Sequence, residues 1–503
     1  MRYFSIISIF LFASALAGPF DPRYHTYDEE LAELDSLCGE YGDIMVLDTL
    51  GWSSIDSIPI VGVKISDNPD VFEDEPKVLY NGLHHAEEFV STEFCMYLIN
   101  DLLAGYGHNA EITRWTDSVE IWVIPMLNPE GHGVAITGVD TIWRKNKRDN
   151  NENGAFDTDF DGVDLNRNYD FKWDIGGSTD PPSEYYRGPN PFSENETRII
   201  RDLTLQNRFM FDICYHCART GLTEMVYYPW RWHGQFSPDD DVIQVIADSV
   251  AKSIPNFAGT GTYTALYGNL SQGGSARNWF YGAVGTIAFT IELSERCYPP
   301  GEFVDSICEN NLGGPYYLLE KAISGPGLTG HIYDSLSLAP LEAEIEVFEA
   351  TDSVIRPRMS EPMYGRFYRL RTPGVYTVRV SADGYRTKLL EDVVVESDGF
   401  THMDVFLTRD GGIDEEHIED FVCPRVIPNP FLNETRIEAG GNTTVRIYDI
   451  CGNVVKTLVL SGDAAMLWNG TDDGNRCLPS GIYFCVGRSG KDTFCKKMVK
   501  LAD

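Results

Sequence analysis

Short apolar runs alternate with amphipathic segments over residues 20–324. Four of these runs are apolar at successive positions, as expected of strands buried on both faces of a sheet. They are KVLYNGL (77–83), VEIWVIPML (119–127), FMFDICY (209–215) and TIAFTIEL (286–293). Helical periodicity lies between them, for example at 91–104 and 241–253. This order of elements predicts an α/β domain.

The pattern changes at SGPGLTG (324–330), where three glycines and a proline interrupt the chain. Alternating apolar and polar residues with Pro-Gly and Asp-Gly turns follow over 328–409, which predicts a small β-sandwich. A second break, the acidic RDGGIDEEH (409–417), precedes another block of short strands at 421–503. We therefore expect an α/β domain at 18–324 followed by two small all-β sandwich domains.

The N-terminus has the three parts of a secretory signal peptide. A basic residue, Arg2, precedes an apolar run at 4–12 and a small-x-small sequence at 15–17. The alternatives are a buried strand or a membrane anchor, but the run is short for a bilayer span. No other stretch could span a bilayer. The sequence predicts a signal peptide at 1–17 and a protein that is secreted or held at the cell surface.

Charge and cysteine content limit the partners that the chain could have. Its 40 basic and 76 acidic residues give a formal net charge of −36, which repels nucleic acid and anionic membrane surfaces. The 11 cysteines fit an exported protein only loosely, and an odd number leaves at least one thiol free or in an intermolecular bond. Cys297 and Cys308 could close a short loop. Cys214 and Cys217 form a C-x-x-C without a second such pair, so we interpret them as strand residues.

The stretch HHAEE (84–88) holds two overlapping copies of the pattern His-x-x-Glu. It lies where the first apolar strand would end and a helix begin, and α/β sheets place their sites at the carboxyl ends of strands. His216 directly follows another apolar strand and could add a third ligand. A catalytic zinc needs three such N or O ligands and one open position. Spacing alone does not separate the two registers.

Two further features carry candidate chemistry. Asn166 and Arg167 place a positive charge and an amide side by side in an acidic chain, which suits capture of a planar carboxylate. The plainer interpretation is a solvated basic loop. Glu292 lies inside an apolar strand, where burial would raise its pKa and favour a general base near neutral pH. It could instead face solvent or pair with a distant cation.

The region from about 22 to 322 resembles the zinc carboxypeptidases of the carboxypeptidase A type, and their bacterial branch most. Eight stretches in order carry the resemblance: GLHHAEEFVS, IPMLNPEGH, IWRKN, GVDLNRNYDF, YRGPNPFSENETR, ICYHC…YYPW, GGSARNW and FTIEL. The resemblance implies a mixed central sheet flanked by helices. It also implies hydrolysis of the last peptide bond of peptides or proteins, with one Zn²⁺ per chain.

The resemblance also chooses a register for the metal. The family's order is His-Ala-Arg-Glu, with the outer two residues on zinc, which implies His85, Glu88 and His216 as ligands. His84 then precedes the site. Glu87 stands where the family has an arginine that helps to bind substrate upstream of the cut, so ordinary upstream binding is in doubt here.

The matching residues imply a role for each of five further side chains. Glu292 would act as general base on a zinc-held water, and Arg144 would polarise the carbonyl and stabilise the oxyanion. Asn166 and Arg167 would hold the substrate's terminal carboxylate. Tyr267 would close over the substrate, although the segment around it is about two residues longer than the usual pattern.

Arg277 lies in GGSARNW at the position that the family places at the base of the side-chain pocket. An arginine there would favour an acidic terminal side chain. Because the loop length differs, a solvated arginine and another specificity remain open alternatives.

The loop at 149–162 contains D-x-N-x-N-G and D-x-D-x-D-G, the way in which calcium loops begin. Neither motif has an acidic residue at its twelfth position. The sequence therefore allows either Ca²⁺ binding or a solvated acidic loop.

The two trailing regions resemble known modules. Residues 328–409 resemble the transthyretin-like, carboxypeptidase regulatory-type domain, and residues 421–503 resemble the immunoglobulin-like sorting domain of bacterial type IX secretion substrates. The second resemblance implies contact with outer-membrane secretion machinery. Two rival functions stay open beside a secreted metallocarboxypeptidase: a cell-wall peptide hydrolase of the same fold, and an inactive peptide-binding module.

Overall fold

The computed structural model describes these residues: 20–217, 223–410, 425–427, 429, 431–438, 443–449, 453–460, 465–489 and 492–501. The predicted signal peptide at 1–17 lies outside them. The chain divides into two units, Met1–Gly411 and Gly412–Asp503.

The first unit begins with a nine-stranded sheet. Its strands are β1 (Met45–Trp52), β2 (Pro59–Ile65), β3 (Lys77–Asn81), β4 (Glu120–Ile124), β5 (Phe211–His216), β6 (Met225–Trp232), β7 (Gln235–Phe236), β8 (Thr264–Asn269) and β9 (Ile287–Glu292). The spatial order is β1-β2-β4-β3-β5-β9-β6-β7, with β8 beside β6. The pairs β3–β4, β3–β5 and β5–β9 are parallel, whereas β2–β4 and β6–β9 are antiparallel. The predicted mixed sheet is confirmed.

Nine α-helices accompany this sheet within the described part of the first unit. They are α1 (Tyr27–Glu40), α2 (Phe89–Gly105), α3 (Ala110–Thr116), α4 (Pro129–Ile136), α5 (Asn195–Asn207), α6 (Asp240–Ser253), α7 (Ala276–Trp279), α8 (Gly301–Asn311) and α9 (Gly313–Ser324). Helix α9 packs on β3 and β5, α6 on β6 and β8, and α5 on β1. Strands β3, β4 and β5 are buried at every position, which explains their apolar sequences.

The β-rich regions follow as predicted. The first contains β10 (Gly327–Asp334), β11 (Glu344–Val347), β12 (Arg366–Leu370), β13 (Gly374–Ser381), β14 (Lys388–Val395), β15 (Phe400–His402) and β16 (Val405–Leu407). They form a four-stranded and a three-stranded sheet around a separate apolar core. Buried ion pairs join this region to the α/β region, with Asp239 bound by Arg369 and Arg371.

The second unit also consists of two sheets with their own core. Its strands are β17 (Arg425–Ile427), β18 (Thr435–Glu438), β19 (Thr443–Asp449), β20 (Val454–Leu460), β21 (Ala465–Trp468), β22 (Gly481–Ser489) and β23 (Asp492–Lys500).

Cys297 and Cys308 of the first unit are free thiols, so the short disulfide loop considered for them is absent.

A charged cluster fixes the chain entering α1. Both ring nitrogens of His25 face carboxylates, with Nδ1 2.8 Å from Glu93 Oε2 and Nε2 3.1 Å from Glu33 Oε2. The hydrogen bond to Glu93 raises the pKa of His25 to about 9 against burial, which lowers it. The folded state therefore holds this proton more tightly than the unfolded state.

We expect a pH-dependent loss of stability from this cluster. The contribution of protonated His25 is complete below its ordinary pKa of 6.5 and is lost as the pH rises through about 9. For a partly exposed group it amounts to about 1–2 kcal/mol. Urea unfolding at pH 6 and pH 9.5 should show this difference in the parent and less of it in His25→Gln. Equal differences in both proteins would contradict the assignment.

Candidate active site

The candidate ligands meet at the carboxyl edge of three adjacent parallel strands. His216 is the last residue of β5 and Glu292 the last of β9, and the two are paired in register. His85 and Glu88 lie in the turn that joins β3 to α2, and Glu88 is the N-cap residue of that helix. The strand order β3-β5-β9 thus brings together residues that are more than 200 positions apart in the chain.

A tight turn directs this segment away from β3. A Cβ at Gly82 would lie 2.8 Å from the carbonyl oxygens of both Pro125 and Ser91, so a larger residue would displace backbone. The next residue, Leu83, adopts a left-handed backbone with φ of 57°. Such strain in a β-carbon-bearing residue persists only where surrounding contacts fix the turn. Here the Leu83 N–H donates to Ser91 Oγ.

His85, Glu88 and His216 bring three possible ligand groups together. His85 Nδ1 lies 2.8 Å from Glu88 Oε1, and His216 Nδ1 lies 2.8 Å from Glu88 Oε2. The two Nδ1 atoms are 3.1 Å apart. Ligands placed about 2.0–2.1 Å from zinc in a tetrahedron lie about 3.3 Å from one another, so this donor set fits Zn²⁺. All three side chains are buried.

His84 points away from this cluster. Its Nε2 lies 2.8 Å from the Tyr169 hydroxyl, and its Nδ1 lies 3.1 Å from Cys214 Sγ. The same thiol lies 3.1 Å from Nε2 of His216. His84, Cys214 and His216 could also hold a metal by proximity, but they would use the other nitrogen of His216. Among the described residues, no possible metal group pairs His84 with Glu87, whereas His85, Glu88 and His216 form one with a carboxylate between the two imidazoles.

Arg144 reaches the cluster through a buried carboxylate. Its Nε donates to Asp164 Oδ2 over 3.1 Å, and its Nη1 lies 3.9 Å from Glu88 Oε1. Asp164 Oδ1 also lies 3.3 Å from His85 Nε2, and it accepts the backbone N–H of Asn166. One carboxylate therefore touches a candidate ligand, the arginine and the start of the Asn166 turn.

Asn166 and Arg167 lie in a short 3₁₀ turn, Leu165–Arg167. Asn166 Nδ2 is 3.1 Å from His216 Nε2, and its Oδ1 accepts the N–H of Ala276. The glycine pair of GGS makes this close packing sterically feasible, since a Cβ on Gly274 would lie 2.2 Å from the Arg167 carbonyl oxygen. The turn is thus held between β5 and the start of α7.

A cavity of about 1000 Å³ opens onto these groups. The nine residues to which the family resemblance gives a site role all line it: His85, Glu88, Arg144, Asn166, Arg167, His216, Tyr267, Arg277 and Glu292. A large concave pocket with several converging charged groups is the usual form of an enzyme active site.

Comparison with known proteins decides the class of this site. Residues 30–314, more than half of the chain, match the family described as zinc carboxypeptidase. The chain is 30% identical to zinc carboxypeptidase A 1 of Anopheles gambiae over 322 residues, which cover 61% of this chain and 69% of that protein. The chain belongs to the zinc carboxypeptidase family. It is a metallocarboxypeptidase, an enzyme of the hydrolase class.

Two other comparisons agree with this assignment. Carboxypeptidase B of Astacus astacus is 28% identical over 285 residues, covering 54% of this chain and 86% of that protein. The solved carboxypeptidase A of Helicoverpa armigera superposes with a TM-score of 0.52 at 22% identity, over 59% of this chain and 73% of that one. The structural match supports the fold alone.

The C-terminal residues 425–501 match the family described as secretion system C-terminal sorting domain. This finding confirms the predicted sorting domain of this carboxypeptidase. None of the helices in the described residues is long and apolar enough to cross a membrane.

Glu292 is the one cavity carboxylate at the end of β9. Burial, followed by the nearby Glu88 carboxylate, raises its pKa to about 8, and His85 and Arg144 oppose this shift. Its Oε2 is buried and has no hydrogen-bond partner among the described residues. A carboxylate with a free, desolvated oxygen is a strong proton acceptor.

Arg277 is 5% exposed and faces the cavity of the carboxypeptidase. Its Nη1 donates to Thr290 Oγ1 over 3.1 Å, and Nη2 reaches Gln272 Oε1 at 3.5 Å. The ring of Tyr227 lies 5.8 Å from the guanidinium. Burial lowers the pKa of Arg277 to about 10, so it stays cationic at neutral pH. No carboxylate of a described residue forms an ion pair with it.

Tyr267 lies in β8, where its ring packs edge-on against Phe236 and Tyr228. Arg231 sits 5.9 Å from the ring. It lines the cavity from β8, which pairs with β6, whereas the candidate ligands lie at the ends of β3 and β5. Its role in covering substrate stays a prediction.

Tyr185 also lines the cavity and was not among the residues predicted from the sequence. The Tyr185 ring lies 5.3 Å from the Arg144 guanidinium and 5.8 Å from that of Arg167. Its ring therefore lies close to both arginines on the wall of the cavity. The sequence signal was only an aromatic pair in SEYYRG, which had no visible link to either arginine.

The acidic loop at 149–162 uses its carboxylates locally. Asp149 accepts the N–H groups of Asn153 and Gly154, and Asp161 accepts those of Asn150 and Asp157. The residue groups that could hold a metal, among those described, do not include this loop. Calcium binding there stays a prediction.

Proposed function

We propose that this carboxypeptidase is exported and preferentially releases acidic residues from the C-termini of peptides and proteins. The observation that carries the substrate preference is the buried Arg277 guanidinium, which has neutral hydrogen-bond partners and no ion pair among the described residues. A buried guanidinium without an ion-pair partner is costly even with Glu292 in the same cavity, and a substrate carboxylate would reduce that cost.

Each of two arginines in the cavity binds a different carboxylate of an acidic terminal residue. Arg167 and Asn166 bind the terminal carboxylate, and Arg277 binds the side-chain carboxylate. A basic side chain would meet a like charge at Arg277. An aromatic side chain would cover the guanidinium with apolar surface and leave it unpaired.

The residues of the site also support a mechanism. His85, Glu88 and His216 would hold a Zn²⁺ ion, which would supply Lewis acidity at this site. Glu292 takes the proton of the attacking water on its free Oε2 and returns it to the leaving amine. Arg144 donates hydrogen bonds to the carbonyl oxygen as negative charge develops there. Arg144 is oriented for this by Asp164.

Export rests on the sorting domain and on the signal-like N-terminus. A sorting domain at 421–503 directs the protein to outer-membrane secretion machinery, after a signal peptide at 1–17 has directed it across the inner membrane. The catalytic domain spans 18–324, and the transthyretin-like domain spans 328–409. The exported enzyme is secreted or stays at the cell surface.

Peptides that differ only in their last residue test the substrate preference. We expect release that a chelator abolishes and that is fastest for terminal Glu or Asp. Arg277→Gln should reduce kcat/KM for these peptides by roughly 10–100-fold, the value of a lost charge-assisted hydrogen bond, with little change for terminal Leu. Arg201→Gln, at a solvent-accessible arginine of α5 outside the cavity, is the control and should change neither.

Other outcomes separate the rival readings. Fastest release of aromatic or aliphatic residues by the parent would keep the enzyme class and remove the role of Arg277. No release from any peptide, with zinc bound, would favour the cell-wall hydrolase or the peptide-binding module.

A further inference from the structure

A second cluster of metal-binding residues lies on the β-region that follows the catalytic domain. His331 is in β10, His402 ends β15, and Asp404 follows two residues later. Asp404 Oδ1 lies 3.1 Å from His331 Nδ1 and 3.0 Å from His402 Nε2. The three ligand atoms all lie within 4.8 Å of one another.

The strand register explains why these side chains converge. Strands β10 and β15 are parallel neighbours, and His402 is paired with Thr329. His331 is two residues beyond Thr329, so it points to the same face as His402. The Met403 N–H donates to Thr329 O and the His331 N–H donates to Asp404 Oδ1, so the chain that leaves β15 stays close beside β10. Gly330 permits this approach, since a Cβ there would lie 1.8 Å from Met403 O.

His331 is held between two carboxylates. Its Nδ1 faces Asp404, and its Nε2 lies 2.8 Å from Asp74 Oδ2. A neutral imidazole has one N–H, so its other nitrogen would direct a lone pair at a carboxylate. A second ring proton removes this conflict, as at His25, and so does a metal ion on Nδ1, which leaves the remaining N–H to donate to Asp74.

Hydrogen bonds hold the Asp74 carboxylate in the orientation needed to accept the N–H of His331. Arg366 donates to both of its oxygens, from Nε to Oδ1 and from Nη2 to Oδ2, each over 2.8 Å. A carboxylate that accepts the free N–H of a metal-bound histidine is the usual support of a histidine ligand. The cluster thus has three ligand atoms and an oriented support for one of them.

We propose that His331, His402 and Asp404 bind a divalent transition-metal ion of the Zn²⁺ class. Two imidazoles and one carboxylate suit Zn²⁺ and similar ions, whereas Mg²⁺ and Ca²⁺ prefer oxygen ligands. The His402 side chain is 53% exposed, so the ion enters from solvent and keeps water in its open position. The ion joins β10 to β15 and, through His331 and Asp74, ties the β-region to the catalytic domain.

This site shares no residue with the catalytic cluster, so it is tested without relying on the proposed function. The full chain without residues 1–17 is equilibrated with micromolar Zn²⁺ in excess Mg²⁺, dialysed, and analysed for zinc per chain. We expect two zinc ions in the parent and one in His402→Ala. In the His85→Ala background we expect one, and none after His402→Ala is added.

Controls separate the site from general metal adsorption. His108→Ala, at an exposed histidine elsewhere, should leave two zinc ions per chain. Asp404→Asn is the second variant, and it should lose the same ion as His402→Ala. Zinc should also raise the Tm of His85→Ala, and this rise should vanish with His402→Ala. A zinc content unchanged by His402→Ala and Asp404→Asn, or one ion in the parent, would overturn the proposal.

Discussion

His85→Ala is expected to remove the catalytic zinc and all measurable carboxypeptidase activity, whereas His84→Ala keeps the zinc. His85 Nδ1 faces Glu88 and His216 Nδ1, so its loss leaves two ligand side chains for an ion that needs three. His84 contacts Tyr169 and Cys214 instead. Removing it leaves buried polar groups unpaired and should cost about 1–3 kcal/mol of stability.

The measurement is zinc per chain together with chelator-sensitive peptide release. His85→Ala should contain one zinc fewer than the parent and show no release. His84→Ala should match the parent in zinc and retain activity, although it unfolds at lower denaturant. Zinc kept in His85→Ala and lost in His84→Ala would place the ligands in the other register.

Glu292→Gln is expected to lower kcat by about 10²–10⁴-fold without changing zinc content. Glutamine preserves the size and polarity of the side chain but accepts no proton. Burial and Glu88 raise the pKa of Glu292 to about 8, and a bound cation beside it lowers this value. If Glu292 is the base, the active form is the deprotonated one. Activity should therefore increase with pH along an acid limb, and the midpoint of that limb should lie below pH 8.

A pH profile distinguishes this role from a structural one. The acid limb of kcat/KM should be present in the parent and absent from the residual activity of Glu292→Gln. Glu184→Gln changes another carboxylate that lines the cavity, and it should keep the limb and most of the rate. A Glu292→Gln enzyme of nearly full activity would show that another group accepts the proton.

The strands that carry the site residues were predictable, because a strand buried on both faces is apolar at successive positions. The apolar runs at 119–127 and 286–293 contain β4 and β9, and the polar residues that follow a buried strand stood out against them. The family resemblance then supplied the register of the ligands and the roles. The order β3-β5-β9, which brings His85, His216 and Glu292 together, is a non-local property of the folded sheet.

Contacts that depend on loop conformation were beyond the sequence. Thr290 and Gln272 form hydrogen bonds with the Arg277 guanidinium, and the local sequence around neither residue predicts this contact. His331 and His402 lie 71 positions apart and meet only through the pairing of β10 with β15. The acidic loop shows the converse problem, since alternating Asp and Asn residues serve equally well to cap their own backbone N–H groups.

A substitution at the buried Asp164 should have wider consequences than a substitution around Arg277. It contacts His85, Arg144 and the Asn166 backbone together, so a substitution there would disturb metal, oxyanion and carboxylate recognition in one step. The hydrogen bonds of Arg277 run to Thr290 and Gln272 and to none of these groups. If Arg277 selects the terminal residue as proposed, natural or laboratory evolution could exchange the preferred residue at positions 272, 277 and 290 while Asp164 and its partners stay unchanged.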